Sequence, residues 1–271
     1  MSTADNDPGS EPRELACIAD GIALWWCGLD PPAAEIERRA AMLSPAEQAR
    51  AARFGTDALR RRWIAGRTSL RGVLGLVLDM PPGEVPIARG QRGRPELRGI
   101  DADLDFNVSH TRSVALIGVL RRHGRNVRIG VDVVRSARAV GSDRLARKFL
   151  APAERAAIAD HDQEARRRRF LEYWTCKEAM SKATGDGLLA PFRQIEVNLD
   201  AAPRLVGGPA PYQPPAWTLF AAPVPAEYFA NVARWDASHQ PASGTSSASA
   251  APGNPPGSRA PPSRRAARTA P

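Results

Sequence analysis

Lys177, Glu178 and Lys182 lie close together in the stretch Trp174-Thr-Cys-Lys-Glu-Ala-Met-Ser-Lys-Ala-Thr-Gly-Asp-Gly-Leu188, on one expected helix that runs into a Gly-rich turn. A carboxylate with two ammonium groups is chemistry suited to phosphate and a metal ion. The basic residues of this chain are almost all arginine, and among 38 Lys and Arg only Lys148, Lys177 and Lys182 are lysine. A lysine kept in such a background points to a need for a compact charge or a removable proton, because a guanidinium is planar and does not deprotonate. By spacing alone, Glu178 and Lys182 also fit a solvated i,i+4 ion pair worth a few tenths of a kcal/mol. Residues elsewhere in the chain tip the balance. Ile129-Gly-Val-Asp-Val-Val134 reads as a buried strand with one carboxylate, Asp132, inside it, and a buried carboxylate is costly unless it is paired or metal-bound. Asp105-Phe-Asn-Val-Ser-His110 reads as another strand ending in a polar Ser-His pair. Gly93-Arg94-Pro95 is a tight basic turn, suited to setting a guanidinium against phosphate oxygens.

The elements that must hold these groups follow from periodicity. A strand is expected over 21–29, short helices over 32–42 and 45–53, and a long helix over 58–78, on which Trp63, Leu70, Leu74 and Leu78 recur at helical spacing. Strands near 86–88, 105–109, 113–120 and 127–134 come next. Helices over 144–149, 152–160 and 164–184 follow, then strands near 194–199, 216–222 and 228–235. Groups of helices followed by antiparallel strands predict an α+β fold, although the sequence shows no tandem repeat.

Composition narrows the class. An apolar fraction of 43% over 271 residues supports a proper core. Cys17, Cys27 and Cys176 are odd in number and lack paired spacing, so neither disulfides nor a zinc site are expected, and a cytoplasmic location is. The first residues are polar and acidic, and no run approaches a membrane span, so no membrane partner is expected. The net charge of +9 suggests nucleic acid, but Arg259, Arg264, Arg265 and Arg268 supply four of those charges from an acid-free Pro/Ser/Ala/Gly tail. The remaining +5 suits an enzyme with polyanionic substrates. No base-stacking strand, helix-turn-helix or zinc pattern is present, and no nucleic-acid partner is expected.

Gly-Arg-Pro, Phe-Asn-Val-Ser-His, Ile-Gly-Val-Asp and Trp-x-x-Lys-Glu-Ala-x-x-Lys-x-x-Gly-x-Gly-Leu, in that order, resemble the 4′-phosphopantetheinyl transferases of the surfactin-synthetase-activating (Sfp) type. The similarity spans roughly residues 20 to 236. It extends to Ser44-Pro-Ala-Glu-Gln-Ala-Arg-Ala-Ala-Arg-Phe54, Arg67-Thr-Ser-Leu-Arg71 and Lys148-Phe-Leu-Ala-Pro-Ala-Glu154. The resemblance implies two pseudo-symmetric subdomains, 20–125 and 126–236, each with a long helix on a small antiparallel sheet and the active site between them. Residues 1–19 and 237–271 are expected to be disordered, and a monomer is expected.

The implied reaction moves the phosphopantetheine arm of coenzyme A onto a serine of an acyl or peptidyl carrier protein, with Mg²⁺, leaving adenosine 3′,5′-bisphosphate. The alternative is a degenerate relative that binds coenzyme A or a carrier without turnover. On the resemblance, Asp132 and Glu178 are the magnesium ligands, and Glu178 is also the general base. Lys182, His110 and Ser109 meet the diphosphate, and Arg94 lines the nucleotide side. Arg50 and Arg67 are preferred over Arg53 and Arg71 for the 3′-phosphate. Many relatives carry a second acid two residues after the strand aspartate, where this chain has Val134.

Overall fold

The computed structural model describes residues 11–239. The chain runs β1 (Arg13–Glu14), β2 (Ile22–Gly28), α1 (Ala33–Ala40), α2 (Pro45–Ala51), α3 (Asp57–Leu78), β3 (Ile87–Arg89), β4 (Pro95–Leu97), β5 (Leu104–His110) and β6 (Val114–Arg121). A second run of the same plan follows: β7 (Val127–Arg135), α4 (Ser142–Phe149), α5 (Pro152–Ala157), α6 (Gln163–Thr184), β8 (Glu196–Asn198), β9 (Arg204–Gly207), β10 (Trp217–Ala221) and β11 (Tyr228–Asp236). Apart from the extra edge strand β1, each half is a strand, three helices, a small hairpin and two more strands. The sheets repeat as well, with order β1-β2-β6-β5 in one half and β10-β11-β7 in the other. In both, the first long strand of the half pairs with its last, antiparallel throughout.

The duplication extends to single residues. Ser44 and Ala151 each stand before a Pro-initiated helix, and the N3 glutamates Glu47 and Glu154 reach back to the N-cap amides at 2.8 Å. Each glutamate then pairs with a cation from the long helix of its half, Arg71 Nε at 2.8 Å and Lys177 Nζ at 2.5 Å. Those long helices, α3 and α6, are both 22 residues long. Thr56 and Asp162 cap their N-termini, and they stop at left-handed Asp79 and Gly185.

Three apolar clusters make the core. One lies between α1–α3 and the first sheet (Trp25, Ile64, Leu74, Phe106, Ile117), and one between α6 and the second sheet (Phe170, Met180, Trp217, Trp235). The third fills the space between the sheets (Leu24, Trp26, Leu116, Ile129, Val131, Val232). The sheets are therefore apolar on both faces, which is why strands such as β6 show no polar alternation.

Where the sheets meet, β7 presents its free edge to β5, and side chains of β5 stand in for a neighbouring strand. Asp105 Oδ2 accepts the Ile129 N–H at 2.8 Å, Asn107 Oδ1 the Val131 N–H at 3.0 Å, and Ser109 Oγ the Val133 N–H at 3.3 Å. A period-2 row of short polar side chains thus satisfies the backbone donors that an edge strand would leave unpaired.

Residues 11–19 correct the expected disordered start. Arg13 and Glu14 pair with Trp26 and Trp25 at the open edge of β2, and Leu15 is buried against Ile22 and Leu24. At the other end, Ala237–His239 form a 3-10 turn, with Asp236 accepting the Ser238 N–H at 3.2 Å. The expectations for residues 1–10 and 240–271 lie outside the described residues. Among the described residues no helix is long and apolar enough to cross a membrane.

Candidate active site

The site begins with a close approach of helix to strand. A Cβ on Gly130 would lie 1.9 Å from the Ala179 carbonyl oxygen and 2.6 Å from the Ala183 nitrogen, so the α6 backbone rests directly on β7. Only glycine permits this contact. It sets the Glu178–Lys182 turn of α6 over Asp132, two residues along the strand and on the same face. Lys182 Nζ donates to Asp132 Oδ1 at 2.7 Å and to the Val131 carbonyl at 3.1 Å. Ser109 Oγ donates to the same Asp132 oxygen at 2.8 Å.

Glu178 is the unsatisfied member. Its Oε1 is buried and has no hydrogen-bond partner among the described residues. Burial raises its pKa to about 7, the Asp132 charge adding to the rise while Lys182 and Arg138 oppose it. His110, at the end of β5, has its pKa lowered by burial and then by Lys182, against the pull of Asp132. Asp132, Glu178, Lys182 and His110 therefore share one electrostatic neighbourhood. Among the described residues no group of three His, Cys, Asp or Glu could hold a metal ion, and Asp132 and Glu178 are the two acids of this neighbourhood.

His110 also lines a cleft in the N-terminal half, whose rim carries Arg50, Arg62, Arg67 and Arg89 and whose floor is Trp63, Leu70 and Val108. Arg50 lies over the Trp63 ring, 5.6 Å from its centroid. Arg67 is held through Nε by Glu47, with its other nitrogens unpaired by protein among the described residues. Four cations on an apolar floor suit a nucleotide bearing a phosphate.

Several expected groups lie elsewhere. Ser109 and His110 do not reach one point, because neighbours on a strand face opposite ways: Ser109 is buried at the joint with β7 and His110 opens to the cleft. Arg94 does not line the cleft. Its guanidinium is bound by Asp105 through Nη1 at 3.0 Å and Nη2 at 2.8 Å, by the Ile129 carbonyl at 2.8 Å and by the Lys182 carbonyl at 3.2 Å. Lys177 is fully buried, donating to Phe192 and Phe149 carbonyls at 2.8 and 3.2 Å besides its pair with Glu154. It sits about 100° round the helix from Glu178 and leaves the site. Arg71 is neither solvated nor free, since Nη1 caps the carbonyls of Pro82, Gly83 and Val85. Arg53 stays exposed and away from the cleft. Sequence reasoning missed Arg62 and Arg89. For Arg62 the available signal was its place on the same stretch of α3 as Trp63 and Arg67.

Comparison with known proteins identifies the family. Residues 128–228 match the model of the 4′-phosphopantetheinyl transferase superfamily, and residues 27–119 match that of a 4′-phosphopantetheinyl transferase N-terminal region. The 4′-phosphopantetheinyl transferase HetI of Nostoc sp. is 38% identical over 212 residues, 77% of this chain and 85% of its own. This chain belongs to the 4′-phosphopantetheinyl transferase superfamily. A Synechocystis sp. protein is 34% identical over 64% of this transferase and 68% of its own length. A phosphopantetheinyl transferase of Thraustochytrium sp. is 29% identical over 66% and 65%. The two family matches fall on the two halves of the duplicated fold, one carrying the cleft and the other Asp132, Glu178 and Lys182.

Proposed function

We propose that this transferase moves the 4′-phosphopantetheine arm of coenzyme A to a serine of an apo acyl or peptidyl carrier protein at the joint between its halves, and that Glu178 takes the proton of that serine. The observation that carries the reading is the buried, partnerless Oε1 of Glu178 beside the Asp132–Lys182 pair. An ionised carboxylate with an uncommitted oxygen can take a proton as general base. The serine oxygen attacks the phosphorus that bears the pantetheine arm, its proton passes to Glu178, and the bond to adenosine 3′,5′-bisphosphate breaks.

The Asp132 carboxylate and the orphaned Glu178 oxygen are hard oxygen donors, and two carboxylates completed by substrate phosphates match the way Mg²⁺ is usually held. Asp132 and Glu178 would hold the ion. When bound there it neutralises the diphosphate and eases charge build-up on the leaving bisphosphate. Lys182 then turns its ammonium toward diphosphate oxygens as charge develops on them. His110, in both the cleft and the field of the acidic pair, bridges the two regions as a phosphate donor. Arg50 and Arg67 hold the 3′-phosphate, with Arg62 and Arg89 on the same rim. A catalytically degenerate binder is the weaker reading, since the contact of Lys182 with Asp132 and the uncommitted oxygen of Glu178 support turnover.

The test is direct. Incubation with coenzyme A, magnesium and a panel of apo-carriers should add one phosphopantetheine to a carrier, read by intact mass. Coenzyme A binding with no carrier modified would favour the degenerate binder.

A further inference from the structure

We propose that Arg94 and Asp105 form a clamp between the two halves that positions the reacting groups, and that Arg94 is not a coenzyme ligand. The inference rests on the transferase reading above. Arg94 follows the left-handed Gly93 in the turn between β3 and β4. From there it enters the joint, where its side chain is 13% exposed and that of Asp105 is 5% exposed. The bidentate pair with Asp105 orients the guanidinium. So oriented, Nη2 reaches the Ile129 carbonyl at 2.8 Å while Asp105 Oδ2 takes the Ile129 N–H at 2.8 Å. One residue of β7, three before Asp132, is thus gripped by both of its peptide groups.

The remaining nitrogen reaches the other catalytic element. Nε donates to the main-chain carbonyl of Lys182, in the last turn of α6, at 3.2 Å. A single guanidinium from the N-terminal half therefore ties β7 and α6 of the C-terminal half together at the level of the Lys182–Asp132 pair. The coenzyme cleft, with four other arginines, lacks it. Groups that orient metal-binding and catalytic side chains from behind usually cost 10–100-fold in metal affinity or activity when removed.

The experiment compares Arg94→Lys, Arg94→Ala and Asp105→Asn with the unmodified protein in carrier modification, in magnesium titration and in calorimetric binding of coenzyme A without carrier. Arg94→Lys keeps a charge for Asp105 but cannot span both carbonyls, so it guards against simple unfolding of the alanine variant. All folded variants should lose about 10- to 100-fold in kcat, with a comparable rise in half-saturating magnesium. Coenzyme A affinity should stay within about threefold, whereas loss of a charge-assisted phosphate contact would cost about tenfold or more. Asp105→Asn is decisive because its carboxylate is buried and does not line the cleft. The proposal is overturned if Arg94→Lys weakens coenzyme A binding tenfold with kcat kept. It is also overturned if the variants lower only the melting temperature, leaving kcat and magnesium dependence unchanged. If the unmodified protein modifies no carrier, the transferase reading fails separately, and magnesium and coenzyme A titrations still judge the clamp.

Discussion

Ser109 Oγ donates to Asp132 Oδ1 at 2.8 Å and accepts the Val133 N–H at 3.3 Å. The hydroxyl thereby fixes the strand edge and the rotamer of the proposed metal ligand at once. Ser109→Ala should remove that support without touching the coenzyme. Magnesium affinity measured calorimetrically in the presence of coenzyme A should fall by about 10- to 100-fold, approaching the effect of Asp132→Ala. Unchanged affinity would show that Asp132 needs no such support.

With Asp132 and Glu178 the only proposed carboxylate ligands among the described residues, and the apolar Val134 buried in the α6-side core, magnesium should bind weakly to the protein alone and tightly once diphosphate joins it. Titrations with and without coenzyme A measure this. Strong coenzyme-independent binding that survives Asp132→Ala would place the metal elsewhere.

Glu178 gives a pH dependence whose sign can be stated. Its folded pKa of about 7 lies above the ordinary carboxylate value, so the folded state favours the protonated carboxyl. The stability this contributes is complete below the unfolded value and fades as pH rises to about 7. In metal-free protein, Glu178→Gln should therefore raise the melting temperature at pH 8, by the equivalent of about 1 to 2 kcal/mol after allowing for partial exposure, and leave it nearly unchanged at pH 5. The same substitution should lower turnover by about 10² to 10⁴. Near-normal transfer by the folded variant would remove Glu178 from the chemistry.

Arg50→Ala and Arg67→Ala should raise the Michaelis constant for coenzyme A far more than for 3′-dephospho-coenzyme A, since a charge-assisted phosphate contact is worth about 1.5 to 3 kcal/mol. Equal effects on both substrates would move the 3′-phosphate to Arg62 or Arg89, the other cations of the rim.

Gly130→Ala should be severe, because its Cβ would overlap the Ala179 carbonyl. Either α6 lifts from β7 or the protein unfolds, and a loss of about 3 kcal/mol or more is expected in chemical denaturation. A stable, active Gly130→Ala protein would show that the helix–strand contact does not set the site.

The elements were legible because periodicity and caps report local structure: α3 and α6 fall within a residue of their expected ends, and the lone acid in an apolar strand marked Asp132. The strands β1, β4 and β9 were not, being two to four residues long and without a pattern of their own. Asp105, Asn107 and Ser109 alternate as a strand's wet face would, yet they lie at a buried joint. Nothing local distinguishes a side chain that bonds water from one that bonds a strand brought from elsewhere in the chain. Arg94 and Lys177 misled for the same reason, since their carbonyl partners carry no sequence signature.

The repeated plan puts a long helix across the first long strand of its sheet twice, but only one crossing is charged. Position for position in the two 22-residue helices, Gly72 and Leu76 of α3 fall where Glu178 and Lys182 stand in α6, and Leu76 is 72% exposed. The proposed chemistry therefore predicts one reaction centre per chain among the described residues, although the scaffold repeats its plan twice.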